Sequence, residues 1–94
     1  MKKYESFIIV APTIDEKKQK EIENKYSKLI NENGKLESFN NLGKKMLAYI
    51  VKGNQYGIYM QWFFESTDNG VVEIESQYKN DNDVLKFIIV RTED

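Results

Sequence analysis

The sequence predicts an α+β sandwich: a four-stranded antiparallel sheet carrying two helices on one face. Three observations predict it. Residues 42–65 read as a hairpin, with the apolar run 46–51 closed by Lys52, turn chemistry at Gly53-Asn54-Gln55, and then the most aromatic segment of the chain. Residues 15–33 repeat apolar side chains at helical spacing between two turn signals. Short apolar runs at 3–10 and 84–91 lie at either end of the chain, the second preceded by another helical pattern. The element order is therefore β-α-β-β-α-β, and a lone hairpin needs such neighbours to be stable in water.

The first strand covers residues 3–10. Tyr4, Ser6, Ile8 and Val10 share one face, and Glu5, Phe7 and Ile9 the other. Apolar residues on both faces suggest a central strand. Ala11-Pro12-Thr13 ends it, because proline cannot donate to a ladder. The first helix, 15–33, is capped by Thr13 or Asp15, with Asp15-Glu16 at the positive end of its dipole. Ile22, Tyr26, Leu29 and Ile30 form its buried stripe, and the intervening lysines and glutamates read as a solvated face. Gly34 is expected as its C′ stop.

The second strand begins at 36–39, is interrupted at Asn40, Asn41 and Gly43 as a bend or bulge would interrupt it, and resumes through 46–52. No two-residue stretch in the hairpin is a perfect type I′ turn, so a loop of about three to five residues is expected. In the third strand Trp62, Phe63 and Phe64 run consecutively, which a bulge would explain. Asp68-Asn69-Gly70 opens a short second helix marked by Val71, Ile74, Glu75 and Tyr78, with Val72 adding to its apolar edge, and residues 79–83 end it. The last strand, 84–91, places Phe87 and Ile89 on one face and Ile88 and Val90 on the other, followed by the stub Thr92-Glu93-Asp94.

Right-handed crossovers turn this order into a ferredoxin-like split β-α-β sandwich with the first and third strands central. The face without helices is expected to carry Phe7, Ile9, Ile88, Val90 and some of Met60, Trp62 and Phe64. So apolar an open face is a candidate contact surface.

Composition bounds the function. The 94 residues make one domain, 1–94, with 40% apolar and 13% aromatic side chains. There is no cysteine and no histidine, which excludes disulfides, thiol catalysis, Cys/His zinc sites and Ser-His or Cys-His nucleophile pairs. The absence of cysteine favours a reducing compartment. No apolar run approaches a membrane span, and the start reads as a strand, not a signal peptide. The net charge of −1 argues against nucleic-acid binding by bulk charge, though not against a local basic edge. Arg91 is the only arginine among 14 basic residues, so bidentate recognition of phosphate is available at one position.

The fold hosts many functions, so function must come from sites. The small phosphatases of this scaffold need an arginine in the loop after the first strand, and here that loop is Ala11-Pro12-Thr13-Ile14. Asp81 and Asp83 sit in a helix-terminus loop and lack the further oxygen ligands and glycine of a calcium site. An RNA-recognition motif shares the topology. Its third-strand signature is matched at Asn54-Gln55-Tyr56-Gly57-Ile58-Tyr59-Met60-Gln61 only in one aromatic and one glycine.

One pattern reaches further. Met1-Lys2-Lys3-Tyr4-Glu5, Ala11-Pro12 before Ile14-Asp15, Asn33-Gly34-Lys35-Leu36-Glu37, Tyr56-Gly57-Ile58-Tyr59 and the closing Asp83-Val84-Leu85-Lys86-Phe87 through Arg91 occur in this order. Between them lies Leu42-Gly43-Lys44-Lys45-Met46-Leu47-Ala48-Tyr49-Ile50-Val51-Lys52, a glycine and basic residues ahead of Leu-Ala-Tyr. In these residues the chain resembles the ribosomal protein S-six family of the bacterial small subunit. Ile50 stands where such proteins usually have a proline.

The resemblance implies a structural, non-enzymatic protein of the cytoplasmic ribosome, with no cofactor, metal or small-molecule substrate. It also implies binding to the central domain of small-subunit ribosomal RNA as a heterodimer with ribosomal protein S-eighteen. A nearly neutral chain agrees with the need for a partner. If about four lysines met phosphates, affinity would fall roughly 100-fold between ~50 and ~200 mM salt. The candidate RNA contacts are Lys2, Lys3 and Arg91, which the topology brings toward one edge, with Tyr4 as a stacking or hydroxyl contact or a core residue. Lys44, Lys45 and Lys52 flank the signature strand, and Lys86 is a further candidate. For the protein partner the candidates are Met46, Ala48 and Ile50, on a strand with unpaired ladder groups; Leu47 and Tyr49 could instead be core. The reading from another class is a small-ligand-sensing regulatory domain that dimerises through its sheet.

Overall fold

The computed structural model describes residues 1–92, in the order β1 (Lys2–Val10), α1 (Glu16–Asn33), β2 (Gly34–Val51), β3 (Asn54–Ser66), α2 (Asp68–Asn80) and β4 (Val84–Arg91). Glu93 and Asp94 of the expected stub lie outside the described residues. The strands form one antiparallel sheet in the order β2-β3-β1-β4. Each helix carries the chain past one intervening strand, so two βαβ units interleave and β1 and β3 are central, as expected.

Burial settles which face the helices cover. Tyr4, Ser6, Ile8 and Val10 of β1 are buried beneath them, together with Ile58, Met60, Trp62 and Phe64 of β3. Met60, Trp62 and Phe64 are therefore corrected from the open face to the core. The cross-strand pairs Glu5↔Phe63, Phe7↔Gln61 and Ile9↔Tyr59 show that Phe63, Gln61 and Tyr59 occupy the open face instead. β3 alternates through Trp62, Phe63 and Phe64 without a bulge, each residue pairing in sequence with β1. The irregularities belong to its neighbour β2, at Leu36/Ser38, Asn41/Gly43 and Met46/Val51, so the strand bends at Asn41–Gly43 but is not interrupted. A bulge inserts an extra residue on one strand only, which lets the edge strand curve while β3 stays regular.

The hairpin loop is shorter than expected. Val51 pairs with Asn54, leaving Lys52 and Gly53 as a two-residue turn with φ of 49° and 81°. Positive φ at both central positions is the geometry that matches the twist of the flanking strands. The Asn54 amide reinforces the turn by donating to the carbonyls of Val51 (3.3 Å) and Lys52 (3.2 Å).

Asp15 caps α1 by accepting a 2.8 Å hydrogen bond from the Lys18 N–H, and Thr67 caps α2 by accepting from the Gly70 N–H at 3.0 Å. Ile22, Tyr26 and Ile30 bury one side of α1, and Ile74 and Tyr78 one side of α2, while Val72 faces solvent. Gly34 does not stop α1 by a left-handed turn: its φ of 175° is extended backbone. It is required for another reason, since a Cβ there would run into the backbone carbonyl of Glu65.

Trp62 anchors the core, with Tyr26, Phe39 and Tyr78 ring centroids at 6.0, 4.9 and 6.3 Å. Its polar handle is satisfied, because Nε1 donates to Ser27 Oγ at 3.0 Å. The Tyr78 hydroxyl and Ser6 Oγ lie 2.9 Å apart in a buried hydrogen bond. Among the described residues no buried side-chain polar atom lacks a partner.

Candidate nucleic-acid interface

At the end of the sheet where β1 starts and β4 finishes, Tyr4 pairs with Arg91, and the Thr92 N–H donates to the Lys3 carbonyl at 3.0 Å. Antiparallel pairing thus brings Lys2, Lys3 and Arg91 together, the juxtaposition that the topology implied. The cluster also holds an acid, Asp68, that strand order does not place there. Asp68, at the first turn of α2, accepts a 2.8 Å hydrogen bond from the Tyr4 hydroxyl, and Lys2 Nζ lies 3.3 Å from its Oδ2. The Tyr4 hydroxyl first, then Lys2, with a contribution from Arg91, hold the Asp68 carboxyl below the usual carboxylate range. Lys3 points elsewhere, its Nζ 3.9 Å from Glu37 Oε2.

Of the readings open for Tyr4, a stacking or hydroxyl contact or a core residue, its burial fits the core. Only 8% of Tyr4 is exposed, and its ring stacks on Phe64 at 5.8 Å, so neither ring face is open to a base. Its hydroxyl donates to Asp68 Oδ1.

The remaining candidate cations lie elsewhere. Gly43, at φ 84°, forms the β2 bulge and donates its N–H to Asn41 Oδ1 at 2.9 Å. Lys44 Nζ then sits 5.4 Å from the Tyr56 ring centroid, and Lys45 Nζ 6.0 Å from that of Tyr59. Each is a cation–π contact at an exposed site. Lys86 pairs with Ile9, which pairs in turn with Tyr59, so Lys45 and Lys86 flank one cross-strand row of the open face. Lys86 also borders a shallow apolar depression formed with Phe7, Ile9, Tyr59 and Ile88. From Lys3 to this row is six residues of β1, about 20 Å of strand. Lys52 occupies the hairpin turn. The candidate cations therefore form two groups at opposite ends of the sheet and a single lysine at the tip.

β2 is an edge strand, paired only with β3. Between the pairs Met46↔Tyr56 and Val51↔Asn54, four residues of β2 stand opposite Gln55 alone. This excess pushes residues 47–50 out of the ladder. Leu47 turns inward and is buried, whereas Met46, Ala48, Tyr49 and Ile50 are exposed, Met46 by 69%, Tyr49 by 76% and Ile50 by 65%. Tyr49 thus joins the three residues assigned from the sequence. Alternation could not place it, because the bulge breaks alternation. A ridge of adjoining exposed apolar side chains on an unpaired edge is a protein-contact feature.

No group of three or more acidic, histidine or cysteine side chains among the described residues is placed to hold a metal ion. No helix among them is long and apolar enough to cross a membrane.

Comparison with known proteins gives a family-model match, described as ribosomal protein S6, over residues 3–91. The chain is 33% identical to the small ribosomal subunit protein bS6 of Thermoanaerobacter pseudethanolicus, with 100% of each chain covered. It is 32% identical to bS6 of Helicobacter pylori over 99% of this chain and 66% of that one. Among solved structures, the crystal structure of 30S ribosomal protein S6 from Thermotoga maritima superposes with a TM-score of 0.90 at 25% identity. That alignment covers 96% of this chain and 86% of the other.

Proposed function

The chain belongs to the ribosomal protein S6 family of the small ribosomal subunit, and on that premise we propose that it binds the central domain of small-subunit ribosomal RNA as a heterodimer with ribosomal protein S-eighteen. A member of this family is a component of the ribosome, in the cytoplasm. Its relatives are structural ribosomal proteins, not enzymes. In this reading the whole of 1–94 acts as one domain that supports subunit assembly and carries out no reaction.

The observation that carries the reading is the exposed apolar ridge on the β2 edge of a chain whose net charge is −1. The ridge, centred on Met46, Ala48, Tyr49 and Ile50, supplies a protein-contact surface. The charge balance leaves RNA affinity dependent on a basic partner. Lys2, Lys3 and Arg91 form the first RNA contact group, Lys44, Lys45 and Lys86 the second, and Lys52 at the hairpin tip is a separate contact. The test is titration of a central-domain RNA fragment with and without S-eighteen between ~50 and ~200 mM salt. Salt-sensitive binding that needs the partner is the expected result; no binding by a folded chain with an active partner overturns the proposal.

A further inference from the structure

The basic edge is already occupied by an anion of the protein's own. Asp68 lies against Lys2 at 3.3 Å and under the Tyr4 hydroxyl at 2.8 Å, within the field of Arg91. A first-turn acid suits the α2 dipole, but neither that, nor capping, nor ion-pair stability calls for its contact with Lys2. Its side chain is 71% exposed and that of Lys2 40%, and a surface ion pair of this kind adds little to folding. The orphan N–H groups of α2 are served by Thr67, whose hydroxyl accepts from Gly70. What remains is the position: a fixed carboxylate where a phosphodiester would meet Lys2 and Arg91.

We infer that Asp68 is an internal competitor for RNA phosphate, which lowers the affinity of the Lys2–Arg91 edge and reserves it for an RNA held by additional contacts. The inference rests on the reading that this edge faces RNA. The chemistry of the exchange is symmetric. The Lys2 ammonium has three donors and no acceptor, and a carboxylate oxygen and a phosphate oxygen are alternative acceptors for it. Tyr4 holds Asp68 from the core side, so the carboxylate stays at the edge when Lys2 turns to a phosphate. With Asp68 present, Lys2 and Arg91 together contribute about one net positive charge to counterion release; without it they contribute about two. Random RNA then gains little from the edge. An RNA fixed by the partner and by the other lysines gains the contact at high local concentration.

The experiment compares wild type with Asp68→Asn, each with S-eighteen, on the central-domain RNA fragment and on an unrelated RNA of equal length. The amide keeps an oxygen for the Tyr4 hydroxyl, and thermal melts of the free protein check that the fold is retained. Glu73→Gln removes one charge from an exposed position elsewhere on α2 and serves as the control for net charge. Asp68→Asn is expected to tighten binding roughly five- to tenfold at ~0.1 M salt and to steepen the log–log salt slope by ~0.7–0.9. The gain is expected to be larger on the unrelated RNA, so the ratio between the two falls; equal gains on both overturn the reserving role. Unchanged or weaker binding by Asp68→Asn, while Lys2→Ala and Arg91→Ala still weaken it, overturns the inference and leaves the RNA edge standing. Equal gains from Asp68→Asn and Glu73→Gln also overturn it, as an effect of net charge. If neither Lys2→Ala nor Arg91→Ala alters binding, the edge reading fails and the inference fails with it.

Discussion

The Tyr26 hydroxyl donates a 2.5 Å hydrogen bond to Asp81 Oδ2, joining the middle of α1 to the C-cap of α2. Burial raises the Asp81 carboxyl, but the Tyr26 hydroxyl, the Asp83 N–H and Lys25 outweigh it and leave it below the ordinary range. Burial, followed by the bond to Asp81, pushes the Tyr26 phenol up. Burial likewise raises Tyr78, partly offset by Ser6.

The signs follow. A carboxyl lowered in the folded state contributes stability that is present above its unfolded value, about 3.9, and lost as pH falls through the folded value. A phenol raised in the folded state contributes stability that is present below its unfolded value, about 10, and lost as pH rises above it. Urea midpoints measured against pH should therefore hold a plateau and fall at both ends. Asp81→Ala should cost about 1–3 kcal/mol at neutral pH by leaving the Tyr26 hydroxyl only its longer 3.4 Å bond to the Gln77 carbonyl, and should flatten the acid limb. An unchanged acid limb would show that Asp81 does not link folding to pH.

Two glycines should respond differently to the same substitution. Gly34→Ala sets a Cβ against the Glu65 carbonyl, and neither backbone can yield without disturbing the β2–β3 pairing. A loss of about 1–3 kcal/mol or more is expected. Gly43→Ala meets open space but keeps φ at 84°, so its cost is conformational, about 1–2 kcal/mol. Far-UV thermal melts of the two variants check the order, Gly34→Ala below Gly43→Ala.

Lys52 holds a left-handed conformation that a lysine tolerates poorly. Lys52→Asn creates Asn-Gly, the pair this turn favours, and should stabilise the fold by about 0.5–1 kcal/mol. As Lys52 is also a candidate phosphate contact, RNA affinity should fall while the melting temperature rises. Parallel melts and RNA titrations on one preparation measure both.

Much of the architecture could be read from the sequence because the elements differ in period. The stripe Ile22, Tyr26, Ile30 has one buried solution on a helix, β1 alternates throughout, and β4 alternates from Lys86 onward, past the irregularity at Leu85. What could not be read was which face of a doubly apolar strand the helices would cover. Phe7 and Ile9 are as apolar as Ile8 and Val10, and only the packing of Tyr26 and Tyr78 on Trp62 decides it. The β2 bulges were legible only at Gly43. The one beyond Met46 arises from a two-residue turn that places a lysine at positive φ, a choice that local preference argues against. At the basic edge, Lys2, Lys3 and Arg91 follow from strand order. Asp68 does not, being 64 residues from the tyrosine that holds it and resembling any acid in the first turn of a helix.

The central claim is that the β2 ridge binds the protein partner while a separate basic edge binds RNA. Two variants, Ile50→Asp and the triple change of Lys2, Lys3 and Arg91 to Ala, test it in one calorimetric series. S-eighteen is titrated first and the central-domain RNA fragment second. Ile50→Asp, at an exposed position, should keep the melting temperature and lose at least about tenfold in partner affinity, with RNA binding lost in consequence. The triple variant should bind the partner as wild type does and lose RNA affinity with a shallower salt dependence. Unimpaired partner binding by Ile50→Asp, or unimpaired RNA binding by the triple variant, would contradict the assignment of that surface. Both results together would contradict the account.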